Sequence, residues 1–473
     1  GLFKAISIYN PTNLDEGEVA MNTVWRKFDI RGMTAENITT TFAYKLGLAA
    51  AQYFRVRYLK TVGVGRDVRD SSPSLQAALI QGLIEGGMNV FDLGLAPTPA
   101  VYFATSGFGF DAGIVVTASQ APIGYNGFKF RLQKRALLEK DFEEIQKYIR
   151  NPEIHSKRGT IESFDIKDIY CEAIANQNTL STPLKIALDA SNGATSRWAP
   201  YLFEKMGAEI ITINCKEDGI FPNHPTNPSK TENIVQLQKV VLEQRADLGF
   251  IFDADGDRVA MVTADGKIYW GEQLLAILMQ EALQWRKAPI VCDVQSTMAL
   301  EILAKQFGVT MFRSPTGSPL IQQKMIKHNA ILGGEQSSHI CFRKGYYTFD
   351  DGLFAAAKLA SIAQDLKKLI KNIPKTVKSP EISRELQVDE RNRFKQRAAP
   401  NYNDCELNKM DGLRYSNEEG WCLLRLSSTE KSIVACAEGI NQEAYLFWRK
   451  RLIEILGYFD VNIDLSQNRR PST

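Results

Sequence analysis

Histidine is scarce in this chain of 473 residues, with four in all, and the seven cysteines are both few and odd in number. Cys171, Cys215, Cys292, Cys341, Cys405, Cys422 and Cys436 are scattered and form no C-x-x-C pair. Neither a disulfide framework nor a zinc site is therefore expected, and a reducing compartment is. No apolar run reaches the roughly 18 residues that a membrane span requires. The opening GLFKAISIYNPTN lacks the layout of a signal peptide, so the expected location is the cytoplasm, without a membrane partner. Charge of one sign is missing too: 57 basic residues against 54 acidic ones leave +3, which calls for no nucleic-acid partner.

What the chain does have is repetition. A hydrophobic content of 44% with 23% charged residues fits a globular chain, and its length suggests three or four domains. A helical pattern, a glycine that ends it and a following strand recur in LIQGLIEGGMNVFDLG (79–94), YLFEKMGAEIITINC (201–215) and LEILAKQFGVTMFRS (300–314). Each phrase is followed by a second apolar run that ends in a polar loop, in GIVVTASQ, DLGFIFDADGDR and AILGGEQSSH. The expected fold is α/β: three similar mixed α/β domains at 1–165, 166–268 and 269–376, then a smaller α+β domain at 377–473. KKLIKNIPKTVKSP (367–380), basic and broken by Pro374 and Pro380, reads as a linker into that last domain. Ligand chemistry in α/β sheets gathers beyond the carboxyl ends of strands, which makes the three polar loops candidate site elements.

In IFDADGDRVAMV (251–262), Asp253, Asp255 and Asp257 alternate behind an apolar run, and Gly256 lets the chain curl. Three hard carboxylates so placed can converge on one Mg²⁺. A solvated turn and a D-x-D phosphatase with Asp253 as nucleophile are competing readings. An EF-hand is excluded, because its glycine and its bidentate glutamate positions hold Arg258 and Ala264. VVTASQAPIGYNGFKF (115–130) delivers Ser119 to an abrupt turn, with Lys129 ten residues on as a proton-transfer candidate. No histidine lies near Ser119 in sequence and no G-x-S-x-G elbow exists, so a metal-bound phosphoryl group suits this serine better than an acyl group. GGEQSSHI (333–340) has the inventory to hold a polyol. RLSSTEKS (425–432) offers Arg425, Ser427, Ser428 and Thr429 to a phosphate or forms a plain hairpin turn.

In this order and spacing, the four loops resemble the α-D-phosphohexomutase family, closest to its bacterial phosphomannomutase/phosphoglucomutase branch. WRKFDIRG (25–32), VGRDVRDSSP, DGIFPNHPTNP, YYTFDDGLFAA and DGLRY extend the likeness over nearly the whole chain. The resemblance implies four domains around a central cleft and interconversion of hexose 6- and 1-phosphates, of mannose and/or glucose, in a monomer or homodimer. It implies a phosphorylated Ser119, with Mg²⁺ held by Asp253, Asp255, Asp257 and the Ser119 phosphate, and a hexose 1,6-bisphosphate that serves as intermediate and activator. Arg31 and Arg258 are implied to neutralise charge, and Lys129 and His339 to move protons. Thr316, Gly317, Glu335 and Ser337 are implied to bind the sugar, and Arg425, Ser427, Ser428 and Thr429 the phosphate that does not react. The chain departs from the family pattern at TASQAP, where Gln120 and Ala121 replace His and Asn. It departs again at Gln295 (for Lys), Ser318 (for His), GEQSSH (for GE-SGH) and Lys431 (for Pro). These departures bear on rate and on substrate choice, and they keep a phosphoglucosamine mutase and a weakly active sugar-phosphate-binding paralogue as alternatives.

Overall fold

Gly87, Gly207 and Gly308 sit at φ of 93°, 87° and 66°. A side chain enters this left-handed region only at a cost, so each glycine ends a helix and turns the chain into a strand. The helices are Ser72–Glu85, Trp198–Lys205 and Ala299–Phe307, and the strands that follow are Asn89–Leu95, Glu209–Ile213 and Met311–Ser314. The structure, a computed structural model, describes residues 23–343, 345–427 and 432–464.

The three repeats build three sheets with one strand order. Thr61–Arg66, Lys185–Asp189 and Ile290–Asp293 each lie between the post-glycine strand and a second parallel strand: Ala112–Val116, Leu248–Phe252 and Leu332–Gly334. An antiparallel strand then follows in each: Tyr125–Leu132, Val259–Thr263 and Ile340–Phe342. Helices cover these parallel strands, whose runs AGIVV, LGFIF and LGG are wholly buried. The turn from the last parallel strand to the antiparallel one therefore occupies the same topological place three times, at 117–124, 253–258 and 335–339.

Buried contacts dock these domains on one another. Tyr170 donates to both oxygens of Asp351 at 2.8 and 2.9 Å, and Asp351 caps the helix Gly352–Ser361 through Phe354 N–H at 2.8 Å. Arg131, 1% exposed, donates to Ser106 Oγ at 2.8 Å, Gln322 Oε1 at 2.9 Å and the Thr348 carbonyl at 2.9 Å, tying the first sheet to the third domain.

The tail forms an antiparallel sheet with one long helix, Gln442–Tyr458, capped by Asn441. Its central strands Gly420–Leu426 and Ser432–Gly439 are buried almost throughout. Cys422, Leu424 and Ala435 pack on Trp448 and Leu452 of the helix, whereas Trp421, Leu423 and Cys436 pack on Val294 and Met298 of the third domain. Both faces are thus covered. The expected linker at 367–380 is shorter than the sequence suggests, because the helix Ala363–Lys371 buries Leu366 and Leu369 and Val377–Lys378 joins the tail sheet.

Glu438, fully buried, pins the tail in place. It accepts from Thr297 Oγ1, from Met298 N–H at 2.8 Å, from Thr376 Oγ1 at 2.6 Å and from Trp421 Nε1 at 2.7 Å. Glu438→Ala strands these donors and is expected to destabilise the tail by about 3 kcal/mol. Urea unfolding followed by tryptophan fluorescence checks this, and an unchanged midpoint would refute it.

Candidate active site

Ser119 is held in the left-handed region at φ 51° and is 1% exposed. A non-glycine residue stays there only when its surroundings fix it. Asp67 and Arg69, which the sequence marks only through the VGRDVRDSSP likeness, do so. Asp67 accepts from Thr117 Oγ1 at 2.7 Å and from Ser72 Oγ at 2.5 Å, and Thr117 Oγ1 in turn accepts the Ser119 N–H at 2.9 Å. Burial pushes the Asp67 carboxyl up, against the pull of Arg69 and these hydroxyls. Arg69 spreads its guanidinium over four carbonyls of the turn: Ser119 at 2.8 Å, Ala121 at 2.6 Å, Pro122 at 2.9 Å and Tyr125 at 3.0 Å. The sequence signal for them is an aspartate and an arginine two residues apart directly after a strand.

Ser119 Oγ donates to Asp253 Oδ2 at 2.9 Å, which joins the first and second turns. Asp253, Asp255 and Asp257 are buried, and one ligand atom from each lies within 4.8 Å of the others. The other oxygen of Asp253 accepts Gly256 and Arg258 N–H at 3.0 and 3.2 Å, so the loop curls around its own carboxylate. Asp255 Oδ1 and Asp257 Oδ1 are buried and make no hydrogen bond among the described residues. Two such oxygens in a set of three hard carboxylates fit a divalent cation. Burial, Asp255 and Asp257 push the Asp253 carboxyl well above the usual range. Burial also opposes charge on Asp257, but Lys129 and His339 hold it well below.

Positive charge reaches the aspartates from all three α/β domains. Lys129 Nζ sits 2.7 Å from Asp255 Oδ2 and 2.6 Å from Asp257 Oδ2; burial disfavours its charge, yet these two carboxylates hold its pKa well above the usual value. Thr98, which no sequence motif singles out, donates to the same Asp255 oxygen at 2.5 Å. Arg258 Nε lies 3.8 Å from Asp253 Oδ2 and 3.0 Å from His339 Nε2, and the two residues also form a backbone bridge. Burial and Arg258 work against an imidazolium at His339, but Asp257 and Glu335 push its pKa up to about 10.

Glu335 Oε2 is 2.8 Å from His339 Nδ1, and Glu335 Oε1 accepts Gly317 N–H at 2.5 Å. Ser337 Oγ lies 3.1 Å from His339 Nδ1 and 3.3 Å from Glu335 Oε2. Thr316 N–H donates to Asp411 Oδ2 of the tail at 2.9 Å, and the buried Thr316 Oγ1 has no hydrogen bond among the described residues. Arg425, 6% exposed, donates to Gln295 Oε1 at 2.5 Å, and Ser427 N–H donates to the Ser432 carbonyl at 2.8 Å. Ser428 and Thr429 lie outside the described residues. Arg31 pairs with Asp29 at 2.7 Å on the edge strand Ile30–Met33, which places it by the first turn.

The arrangement brings a serine, three carboxylates and three cationic side chains together from three separate domains. Arg69→Met removes the clamp on the first turn while leaving the aspartates untouched. Hydrogen exchange measured by mass spectrometry is expected to speed up at residues 118–126 at least tenfold, about 1.4 kcal/mol of lost protection. Unchanged exchange there would show that the turn holds itself.

The sequence matches "Phosphoglucomutase/phosphomannomutase, alpha/beta/alpha domain I" over residues 23–154, domain II over 168–266 and domain III over 270–378. It is 35% identical over 423 residues to a phosphomannomutase/phosphoglucomutase of Pseudomonas putida, covering 87% of this chain and 91% of that one. A phosphoglucomutase of Neisseria gonorrhoeae is 32% identical, with 89% and 94% covered. The crystal structure of a phosphoglucomutase/phosphomannomutase family protein from Burkholderia thailandensis superposes with a TM-score of 0.87 at 32% identity, covering 93% of this chain and 98% of that one. The three domain matches, the two relatives and the shared architecture agree: the chain belongs to the phosphoglucomutase/phosphomannomutase family.

Proposed function

We propose that this chain interconverts hexose 1-phosphate and hexose 6-phosphate, of mannose and/or glucose, through phospho-Ser119 and a hexose 1,6-bisphosphate. The observation that carries the reading is the 2.9 Å contact of Ser119 Oγ with Asp253, made where Lys129, Arg258 and His339 supply positive charge. Phosphoryl transfer is mostly a matter of position and charge neutralisation, and a clamped serine facing such a cluster supplies both. The D-x-D phosphatase alternative fares worse, because one oxygen of Asp253 is held by the Gly256 and Arg258 N–H groups and the other faces the Ser119 hydroxyl.

Asp253, Asp255 and Asp257, with an oxygen of the Ser119 phosphate, would hold Mg²⁺, which when bound neutralises the transferring phosphoryl group and the carboxylates around Lys129. In the forward half, a substrate hydroxyl oxygen bonds to phosphorus, the bond to Ser119 Oγ breaks, and the hydroxyl proton passes to Lys129 or His339, whichever has given up its own proton to solvent once a cation bound by the aspartates relieves the carboxylate pull that keeps both charged. The bisphosphate then turns round. Ser119 Oγ takes the other phosphoryl group, and the freed sugar oxygen regains a proton. Glu335 and Ser337 with Thr316 and Gly317 would hold sugar hydroxyls, while Arg425, Ser427, Ser428 and Thr429 hold the distal phosphate. Arg31 would add charge beside the first turn. The reading sets the domains at 1–165, 166–268, 269–376 and 377–473 and makes hexose 1,6-bisphosphate the activator. It takes the protein to be a cytoplasmic monomer or homodimer without nucleic-acid or membrane partners. Among the described residues, no helix is long and apolar enough to cross a membrane.

Purified protein is expected to carry one phosphate on Ser119 by intact mass, absent in Ser119→Ala, and to turn over mannose 1-phosphate and glucose 1-phosphate faster than glucosamine 1-phosphate. Chelation of divalent cations should abolish turnover. Full activity after chelation, or in Ser119→Ala, would sink the mechanism, and a preference for glucosamine 1-phosphate would shift the assignment to phosphoglucosamine mutase.

Gln120 Oε1 is buried beside Ser119 without a hydrogen-bond partner among the described residues. A glutamine offers only neutral dipoles there, whereas a histidine can carry charge. The double change Gln120→His with Ala121→Asn is expected to raise turnover by about tenfold, part of the roughly 10²-fold that one electrostatic contact can supply. Equal turnover in steady-state assays at saturating Mg²⁺ and bisphosphate would show that this turn does not limit the rate.

A further inference from the structure

Gln295 follows the strand Ile290–Asp293 at the point where the tail sheet docks, and it is 5% exposed. Its Oε1 accepts from Arg425 Nε at 2.5 Å, and its Nε2 donates to Glu381 Oε2 at 3.1 Å. Its carbonyl accepts from Lys378 Nζ at 2.7 Å. Three contacts with the tail thus come from one residue of the third domain.

Arg425 is fixed at one end by this amide. Its Nη1 lies 3.6 Å from Asp411 Oδ2, is buried, and makes no hydrogen bond among the described residues. A guanidinium offers five N–H groups in a rigid plane, so one strong contact at Nε sets the direction of the others. The choice of acceptor matters. A carboxylate at 295 would orient the guanidinium but cancel its charge, and a lysine would repel it. A neutral amide orients Arg425 without placing a second negative charge on it beside that of Asp411, which keeps the guanidinium open to an anion.

We infer that Gln295 is a positioning residue for the anion grip of Arg425, aligning the guanidinium from the third domain for the phosphate that does not react. The inference rests on the reading of Arg425 as a phosphate-binding residue. It gives the departure at Gln295 a role in substrate binding, exerted through Arg425.

The test is a double-mutant cycle with Gln295→Met, which keeps length and packing but removes the acceptor, and Arg425→Ala, assayed on glucose 1-phosphate. Gln295→Met is expected to raise KM by roughly tenfold with kcat within about twofold, as loss of a hydrogen bond to a charged group acting in binding requires. In the Arg425→Ala background the same change should move KM by less than about twofold. An equal KM penalty in both backgrounds, or a loss confined to kcat together with a lowered melting midpoint, would overturn the positioning role. An unchanged KM in Gln295→Met beside a raised KM in Arg425→Ala would overturn it while leaving the phosphate grip intact. An unchanged KM in Arg425→Ala would overturn the grip itself and this inference with it.

Discussion

Three carboxylates buried with ligand atoms within 4.8 Å of one another repel unless positive charge is brought to them. The rest of the site follows from that constraint. Lys129 reaches Asp255 and Asp257 from the first sheet, Arg258 curls back from the loop itself, and His339 approaches Asp257 to 3.5 Å from the third. Asp253 takes its nearest partner, the Ser119 hydroxyl, from the first domain. The cluster therefore forms only when three domains are docked, which couples assembly of the site to assembly of the fold.

Much of this is legible in the sequence. The three left-handed glycines, the apolar runs and the polar turns after them are local signals, and they locate Ser119, the aspartates and the Glu335–His339 turn. What stays hidden depends on long sequence separations. The clamp of Arg69 on Ser119 spans 50 positions, the contact of Thr98 with Asp255 spans 157, and that of Arg425 with Gln295 spans 130. No window along the chain contains both partners of any of these. The linker reads too long in the sequence because Pro374 and Pro380 outweigh the helical spacing of Leu366 and Leu369, which the structure buries.

The departures from the family pattern also become physical. Ser318 donates to Asp350, whose carboxyl is pushed up to about 6 by burial against the pull of His339 and Ser318. Ser338 stands where the pattern has glycine and takes φ 76°, with its hydroxyl accepting Gly271 N–H at 2.8 Å. That hydrogen bond offsets part of the backbone strain. Ser318, Ser338 and Gln295 are thus woven into the surrounding structure.

The three site turns leave their sheets at the same topological place, and the short contacts among Ser119, Lys129, the aspartates, Arg258 and His339 cross from one sheet to another. Spacing at the reaction centre is consequently set by the seating of whole domains, as the clearances in a machine are set by its bearings. Residues such as Tyr170, Asp351 and Arg131, which lie outside the three turns, act as those bearings, so that slack introduced there is transmitted to the reacting atoms even when every residue of the turns is intact.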